Sequence, residues 1–268
     1  MYKAVFTDMD GTLLRNDHSI SEATRAMLQK LVAAGIPVVL VSARPIHGIL
    51  PISRWLGLQN MPIVSLNGGY IGLEEKIIYE SAIEPQTIAE IQQIARGFSV
   101  TLIYYAGMEW FSESDDAATA KEQRITDVPI RIAPFAELAT YWKAHGSGIN
   151  KIMAVGEPGV VNVLENKLHG MYGNRMNVYT SKPTYLEIMQ QGASKTNAVK
   201  FLINRYQLRP DEIIAVGDNF NDKDMIAFAG RGIAMGNAPA EVKAVASYVT
   251  DTNQQDGVRK ALEKFIAV

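Results

Sequence analysis

The chain has 268 residues, 47% hydrophobic and 20% charged, enough to bury one large α/β core or two of ordinary size. A formal net charge of -2 gives no electrostatic reason to expect nucleic acid or an anionic membrane as partner. The absence of cysteine excludes disulfides, thiolate metal sites and a cysteine nucleophile.

Elements follow in chain order. The opening "MYKAVFTDMDG" lacks the long apolar region of a secretory signal, and its "AVFTD" reads as a buried strand. The stretch "SISEATRAMLQKLVAAG" predicts a helix, with Ser19 and Glu22 as a capping box and Gly35 as its stop. "IPVVLVSAR" has the β-branched run of a strand covered on both sides. The most apolar segment, 31–43, is too short to cross a bilayer and is broken by Gly35 and Pro37, so the expected location is cytoplasmic, with no membrane contact. "PIHGILPISRWLGL" predicts a helix interrupted by Pro51, and "MPIVSLNGG" a third strand. Towards the C-terminus the alternation returns: helix "SKTNAVKFLINRYQL", strand "EIIAVGD", helix "NDKDMIAFAG", strand "RGIAMGN", then helices "APAEVKAVASYV" and "DGVRKALEKFI". This alternation predicts an α/β fold, a doubly wound, Rossmann-like parallel sheet with helices on both faces.

The middle differs. Residues 84–183 hold aromatic-rich strands ("VTLIYYAG", "EWFSES", "NKIMAVG", "MNVYTS") and helices ("PQTIAEIQQIARGF", "GVVNVLENKLHGMYG"). They predict a smaller α/β cap domain inserted into a core formed by 1–83 and 184–268.

Ligands of open parallel sheets bind beyond the carboxyl ends of the strands. Asp8 and Asp10 follow the first strand, Ser42 the second, and Asp218 the strand "IIAVG". Lys195 opens a helix, where unpaired N–H groups favour an anion. Converging carboxylates repel unless a cation joins them, and a hard divalent ion with oxygen ligands, most simply Mg²⁺, removes that objection. The Ser42 hydroxyl and Lys195 then suit the remaining oxygens of a phosphate. Residues two apart in an extended chain point the same way, so Asp8 and Asp10 can address one phosphorus while Gly11 lets the chain turn away.

The ordered set "DMDGT" (Asp8–Thr12), "VVLVSAR" ending in Ser42-Ala43-Arg44, "GASK" ending in Lys195, and "GDNFND" (Gly217–Asp222) resembles the haloacid dehalogenase superfamily. The insert between the second and third motifs, the length, and "GIAMGNAPAEVKAVASYVT" look like its Cof-like, class IIB branch of sugar-phosphate phosphatases. That resemblance implies a Mg²⁺-dependent phosphatase of small phosphorylated metabolites working through an aspartyl-phosphate. Asp8 would be the nucleophile and Asp10 the general acid and base. Asp8 and Asp218 would bind the metal through their carboxylates and Asp10 through its carbonyl, with Asp222 behind them. Met9, Ser42, Ala43, Lys195 and Asn221 would hold the phosphate, while Thr12 would orient Asp10 or the loop. Two positions depart from the pattern: Ser42-Ala43 where Thr-Gly is usual, and Thr196 where Gly is common.

An insert of this size is expected to exclude water and meet the leaving group through some of Glu109, Trp110, Arg124, Arg131, Lys151, Arg175 and Lys182. Tyr104, Tyr105 and Phe111 read as core of its sheet, and the four histidines show no metal-ligand spacing. Alternatives left open are phosphotransfer between sugar phosphates, a receiver phosphorylated on aspartate, and a non-catalytic sugar-phosphate sensor.

Overall fold

The computed structural model describes residues 2–73, 76–146 and 148–267. The chain divides into two compact units, Met1–Ile78 with Ser194–Val268, and Tyr79–Ala193. The first unit opens with strands β1 (Ala4–Thr7), β2 (Val38–Val41), β3 (Ile63–Ser65), β4 (Tyr70–Leu73) and β5 (Lys76–Glu80). The second carries β6 (Val100–Ala106), β7 (Glu109–Ser112), β8 (Ile130–Ile132), β9 (Lys151–Gly156), β10 (Met176–Lys182) and β11 (Tyr185–Gln190). The chain then returns to the first sheet with β12 (Ile213–Gly217), β13 (Arg231–Ala234) and β14 (Tyr248–Val249).

The first sheet runs β14-β13-β12-β1-β2-β3-β4-β5. From β14 to β3 every pair is parallel, while β3 and β4 are antiparallel. The α/β sheet is therefore doubly wound through its centre and finished at one edge by a hairpin that the sequence reading did not foresee. β1, β2 and β12 are buried at every residue, as expected of branched apolar runs screened on both faces. Helices Glu22–Ala33 and Gly257–Phe265 pack together, as do Lys195–Arg205 and Lys223–Phe228.

In the second sheet, ordered β10-β11-β9-β6-β7-β8, only β7 and β8 run parallel among its pairs. One face is apolar. Leu102, Tyr104, Ile152, Ala154, Leu186 and Ile188 pack with Ile91, Leu138, Trp142, Leu164 and Leu168 from three helices. Strand alternation sends Tyr105, Lys151, Met153, Tyr185 and Glu187 to the other face.

Several expectations need correction. Boundaries at 84 and 183 differ from the division at Tyr79 and Ala193. A cut at 183 would part β10 from β11, which pair from Met176↔Gln190 to Lys182↔Tyr185. The first helix is capped by Ser21, whose hydroxyl accepts from the Thr24 N–H, whereas Ser19 bonds Asp17. Pro51 does not interrupt a helix; it lies in the first turn of Leu50–Leu56, where its missing N–H costs nothing. "APAEVKAVASYV" is helical only over Ala240–Lys243 and ends as β14, because β13 offers Tyr248 and Val249 a parallel partner.

One turn ties the sheet to the helix that begins at Lys195. Leu66 and Asn67 follow β3 in left-handed conformations (φ 49° and 52°), then Gly68 at φ 92°. A side chain on Gly68 would collide with the carbonyl oxygen of Ser194. We expect Gly68→Ala to lower stability by about 1–3 kcal/mol from backbone strain alone. A thermal unfolding midpoint equal to that of the wild type would refute this.

Candidate active site

Three loops at strand ends and one helix start supply the polar residues. β1 ends at Thr7 and delivers Asp8; β2 ends at Val41 and delivers Ser42; β12 ends at Gly217 and delivers Asp218. Lys195 is the first residue of helix Lys195–Arg205, whose preceding Ser194 hydroxyl accepts from the Asn197 N–H.

The centre of the site is a buried ammonium. Lys195 Nζ donates to Asp8 Oδ1 and Asp222 Oδ1, both at 2.6 Å. The other oxygen of Asp222 accepts the N–H groups of Asp218 and Asn219 at 3.0 Å. Asp222 thus holds the lysine with one oxygen and its own loop with the other. Asp218 is fixed by the Thr12 hydroxyl, which donates to Oδ1 at 2.9 Å, and by the Asn237 amide at 3.3 Å. Thr12 therefore holds Asp218 through its hydroxyl and closes its own loop through its N–H on the Met9 carbonyl, where the expectation was Asp10 or the loop. Gly11 is dictated by contact: at φ 79°, a Cβ there would collide with the Asp218 carboxylate.

Electrostatics make the same centre unhappy without a cation. Burial, then the charge of Asp222, push the Asp8 carboxyl above its ordinary range, against the pull of Lys195. Burial likewise raises Asp218, although the Thr12 hydrogen bond pulls it back. Burial opposes the charge on Lys195, yet Asp8 and Asp222 outweigh it and hold the ammonium above its usual value.

Asp8, Asp218 and Asp222 each present an oxygen within 4.8 Å of the others. When all three carboxylates ionise against the one ammonium, two negative charges are left over, the deficit that a divalent cation neutralises. All donors are oxygens, the ligands a hard cation prefers. The residues present fit such an ion.

The remaining expected residues are placed as follows. Ser42 is buried and its Oγ accepts the Arg44 N–H at 3.1 Å. The Met9 carbonyl accepts from the Thr12 and Leu14 N–H groups, closing the loop after β1. Ala43 is exposed. Asn221 is exposed too, and its amide donates to Asn67 Oδ1 at 2.9 Å. The Asp10 carboxylate stands outside the buried cluster, paired with Arg44 through hydrogen bonds of 2.7 and 2.6 Å.

Arg44, Asn67, Asn237 and Asn253 are contributors that sequence reasoning missed. Asn237 donates to the Gly11 carbonyl at 2.8 Å and accepts the Asn253 N–H, so the "GN" after β13 braces the first loop. Its signal was present in "GIAMGNA", without an assigned residue role.

In the second unit, Trp110 is buried, its ring 4.4 Å from Tyr105, on the face opposite the three helices. Tyr104, Tyr105 and Phe111 are buried as expected. Lys151 is also buried, paired with Glu187 at 3.5 Å. Glu109 accepts from the Tyr141 hydroxyl, and Arg131, Arg175 and Lys182 lie over the rings of Tyr141, Tyr172 and Tyr185.

A family model described as haloacid dehalogenase-like hydrolase matches residues 5–262. The chain belongs to the haloacid dehalogenase-like hydrolases. A Haemophilus influenzae protein with a provisional phosphatase name is 36% identical over 98% of each chain. A Bacillus subtilis relative named 5-amino-6-(5-phospho-D-ribitylamino)uracil phosphatase is 25% identical over 98% of this chain and 96% of its own. Among solved structures, a haloacid dehalogenase-like hydrolase from Bacteroides thetaiotaomicron is 32% identical, with a TM-score of 0.88 over 99% of this chain and 100% of its own. A subclass IIB sugar phosphatase shares the fold at 23% identity, with a TM-score of 0.79 over 98% of each chain. The expected enzyme class, a phosphatase, follows with the family. Among the described residues, no helix of this hydrolase is long and apolar enough to cross a membrane.

Raised carboxyls bind protons more tightly in the folded than in the unfolded chain. Above the ordinary value of 3.8, therefore, their contribution to stability declines as pH rises. In metal-free protein, Asp218→Asn should lose less stability than the wild type between roughly pH 5 and pH 7.5. A divalent cation should raise the wild-type unfolding temperature most at the upper end of that range. Parallel pH profiles for the two proteins would contradict the assignment.

Proposed function

We propose that this hydrolase is a Mg²⁺-dependent phosphatase of small phosphorylated metabolites, with sugar or polyol phosphates as its substrate class. One observation carries the reading: Lys195, Asp8, Asp218 and Asp222, drawn from three separate stretches, form one buried charged cluster beside the Ser42 loop. The full-length Bacillus relative named for a phosphorylated ribityl compound supports the substrate class.

Asp8 is the nucleophile. One of its oxygens forms a bond to phosphorus as the ester P–O bond breaks, and the electron pair leaves with the ester oxygen. Asp10 gives that oxygen its proton. Water then attacks the phosphorus of the aspartyl-phosphate, passes a proton to Asp10, and the bond to Asp8 breaks to release inorganic phosphate. Lys195 holds Asp8 in line and offsets charge on the transferring group. The Ser42 hydroxyl, the N–H groups around Met9 and Ala43, and Asn221 hold its other oxygens. Asp8, Asp218 and the Asp10 carbonyl would hold Mg²⁺, which when bound neutralises carboxylate and phosphoryl charge.

We expect Asp8→Asn to abolish phosphate release from a generic aryl phosphate in Mg²⁺, and EDTA to silence the wild type. Near-normal turnover by the variant would remove Asp8 from the nucleophilic role, and activity that survives chelation would remove the metal.

A further inference from the structure

The Asp10–Arg44 pair is not absorbed by the reading above. Arg44 Nε donates to Asp10 Oδ2 at 2.7 Å and Nη2 to Oδ1 at 2.6 Å, so both oxygens of the carboxylate are taken. His18, in a left-handed conformation at φ 62°, sets its Nδ1 3.2 Å from the same Nη2 and 3.9 Å from Asp10 Oδ1. A carboxylate turned with both oxygens onto a guanidinium faces a cation, whereas the leaving oxygen of an ester needs a proton from it. The pair must therefore open before Asp10 can act.

What could open it is suggested by where Arg44 is anchored. Its N–H donates to Ser42 Oγ, and its carbonyl accepts the Leu66 N–H at 3.0 Å. The Asn67 N–H in turn donates to the Ser42 carbonyl. The backbone of Arg44 is thus fixed two residues from the hydroxyl assigned to phosphate, and only its side chain is left to swing. The planar fork of a guanidinium fits phosphate and carboxylate equally well. Side-chain exposure of 27% for Arg44 and 47% for Asp10 leaves the pair open to an anion arriving from solvent. Solvent screening makes such a pair weak enough for a dianion to displace.

We propose that Arg44 is a phosphate-binding group held in reserve by Asp10: the arriving phosphate takes the guanidinium, and the exchange frees the Asp10 carboxylate to take a proton from solvent and pass it to the leaving oxygen. This rests on the phosphatase reading and adds to it a residue that couples anion binding to release of the acid.

Two measurements test it. In steady-state kinetics with an aryl phosphate and with an alkyl phosphate, Arg44→Ala should raise KM at least about tenfold while kcat stays within about threefold, because the lost contact is to the shared phosphate. Arg44→Lys should restore part of the KM. An unchanged KM, or a collapse of kcat alone, would overturn the proposal. The second measurement is calorimetric titration of the metal-loaded protein with inorganic phosphate. Asp10→Ala should tighten binding, and the gain should be at least about threefold smaller in the Arg44→Ala background, the signature of coupled residues. An equal gain in both backgrounds overturns the exchange even if turnover is normal. A wild type that turns over no phosphate ester defeats the phosphatase reading itself, whereas loss of the calorimetric coupling alone defeats only the exchange.

Discussion

The rest of the site depends on one ammonium buried between two carboxylates. Lys195 and Asp222 expose 1% and 0% of their side chains, and Asp8 7%. Removing the ammonium would strand both carboxylates in a medium that solvates them poorly, a penalty of roughly 3–5 kcal/mol for a broken buried pair. The arrangement nevertheless leaves two carboxylate charges uncompensated once Asp218 is included and all three carboxylates ionise. That residual charge is a stored affinity for a divalent cation. The geometry that gathers these charges is the geometry that prepares the site for ligands.

The scaffold holds this geometry by close approach rather than by bulk. Gly11 lies where only a hydrogen fits beside Asp218, and Gly68 where only a hydrogen fits beside Ser194. Thr12, Asn237 and Asn253 then lash the loop after β1 to the loops after β12 and β13. The loops after β1 and β12 that these contacts fix lie at the ends of fully buried strands, so the rigidity of the sheet passes directly to the charged groups.

The second unit has its own logic. Its apolar face is closed by three helices and an aromatic cluster in which Trp142 meets Tyr104, Phe111 and Phe135 at 5.2–5.9 Å. The opposite face carries polar and aromatic side chains, including the buried Lys151–Glu187 pair, with Lys151 4.4 Å from the Tyr105 ring. Glu187 is held below its ordinary value: burial opposes this, but Lys151 and neighbouring hydroxyls prevail. Tyr104 and Phe111 read as core from the sequence, but the Lys151–Glu187 pair did not, because Lys151 looks like any surface lysine until β9 and β11 are laid side by side.

The sequence by itself determined the α/β alternation, the inserted unit, and the order in which Asp8, Asp10, Ser42, Lys195 and Asp218 appear at element ends. These depend on local periodicity and on short motifs whose spacing the backbone converts directly into direction. It aimed Asp10 with Asp8 and gave Thr12 to Asp10 or the loop, and it left open which partners each meets and which side chains brace the loops. Those answers come from pairs 34, 206, 154 and 226 residues apart, namely Arg44–Asp10, Thr12–Asp218, Asn221–Asn67 and Asn237–Gly11. A hydrogen bond is decided by ångström-scale proximity. Proximity across such separations is created only when the strands are ordered in the sheet, so tertiary structure alone chose the partners.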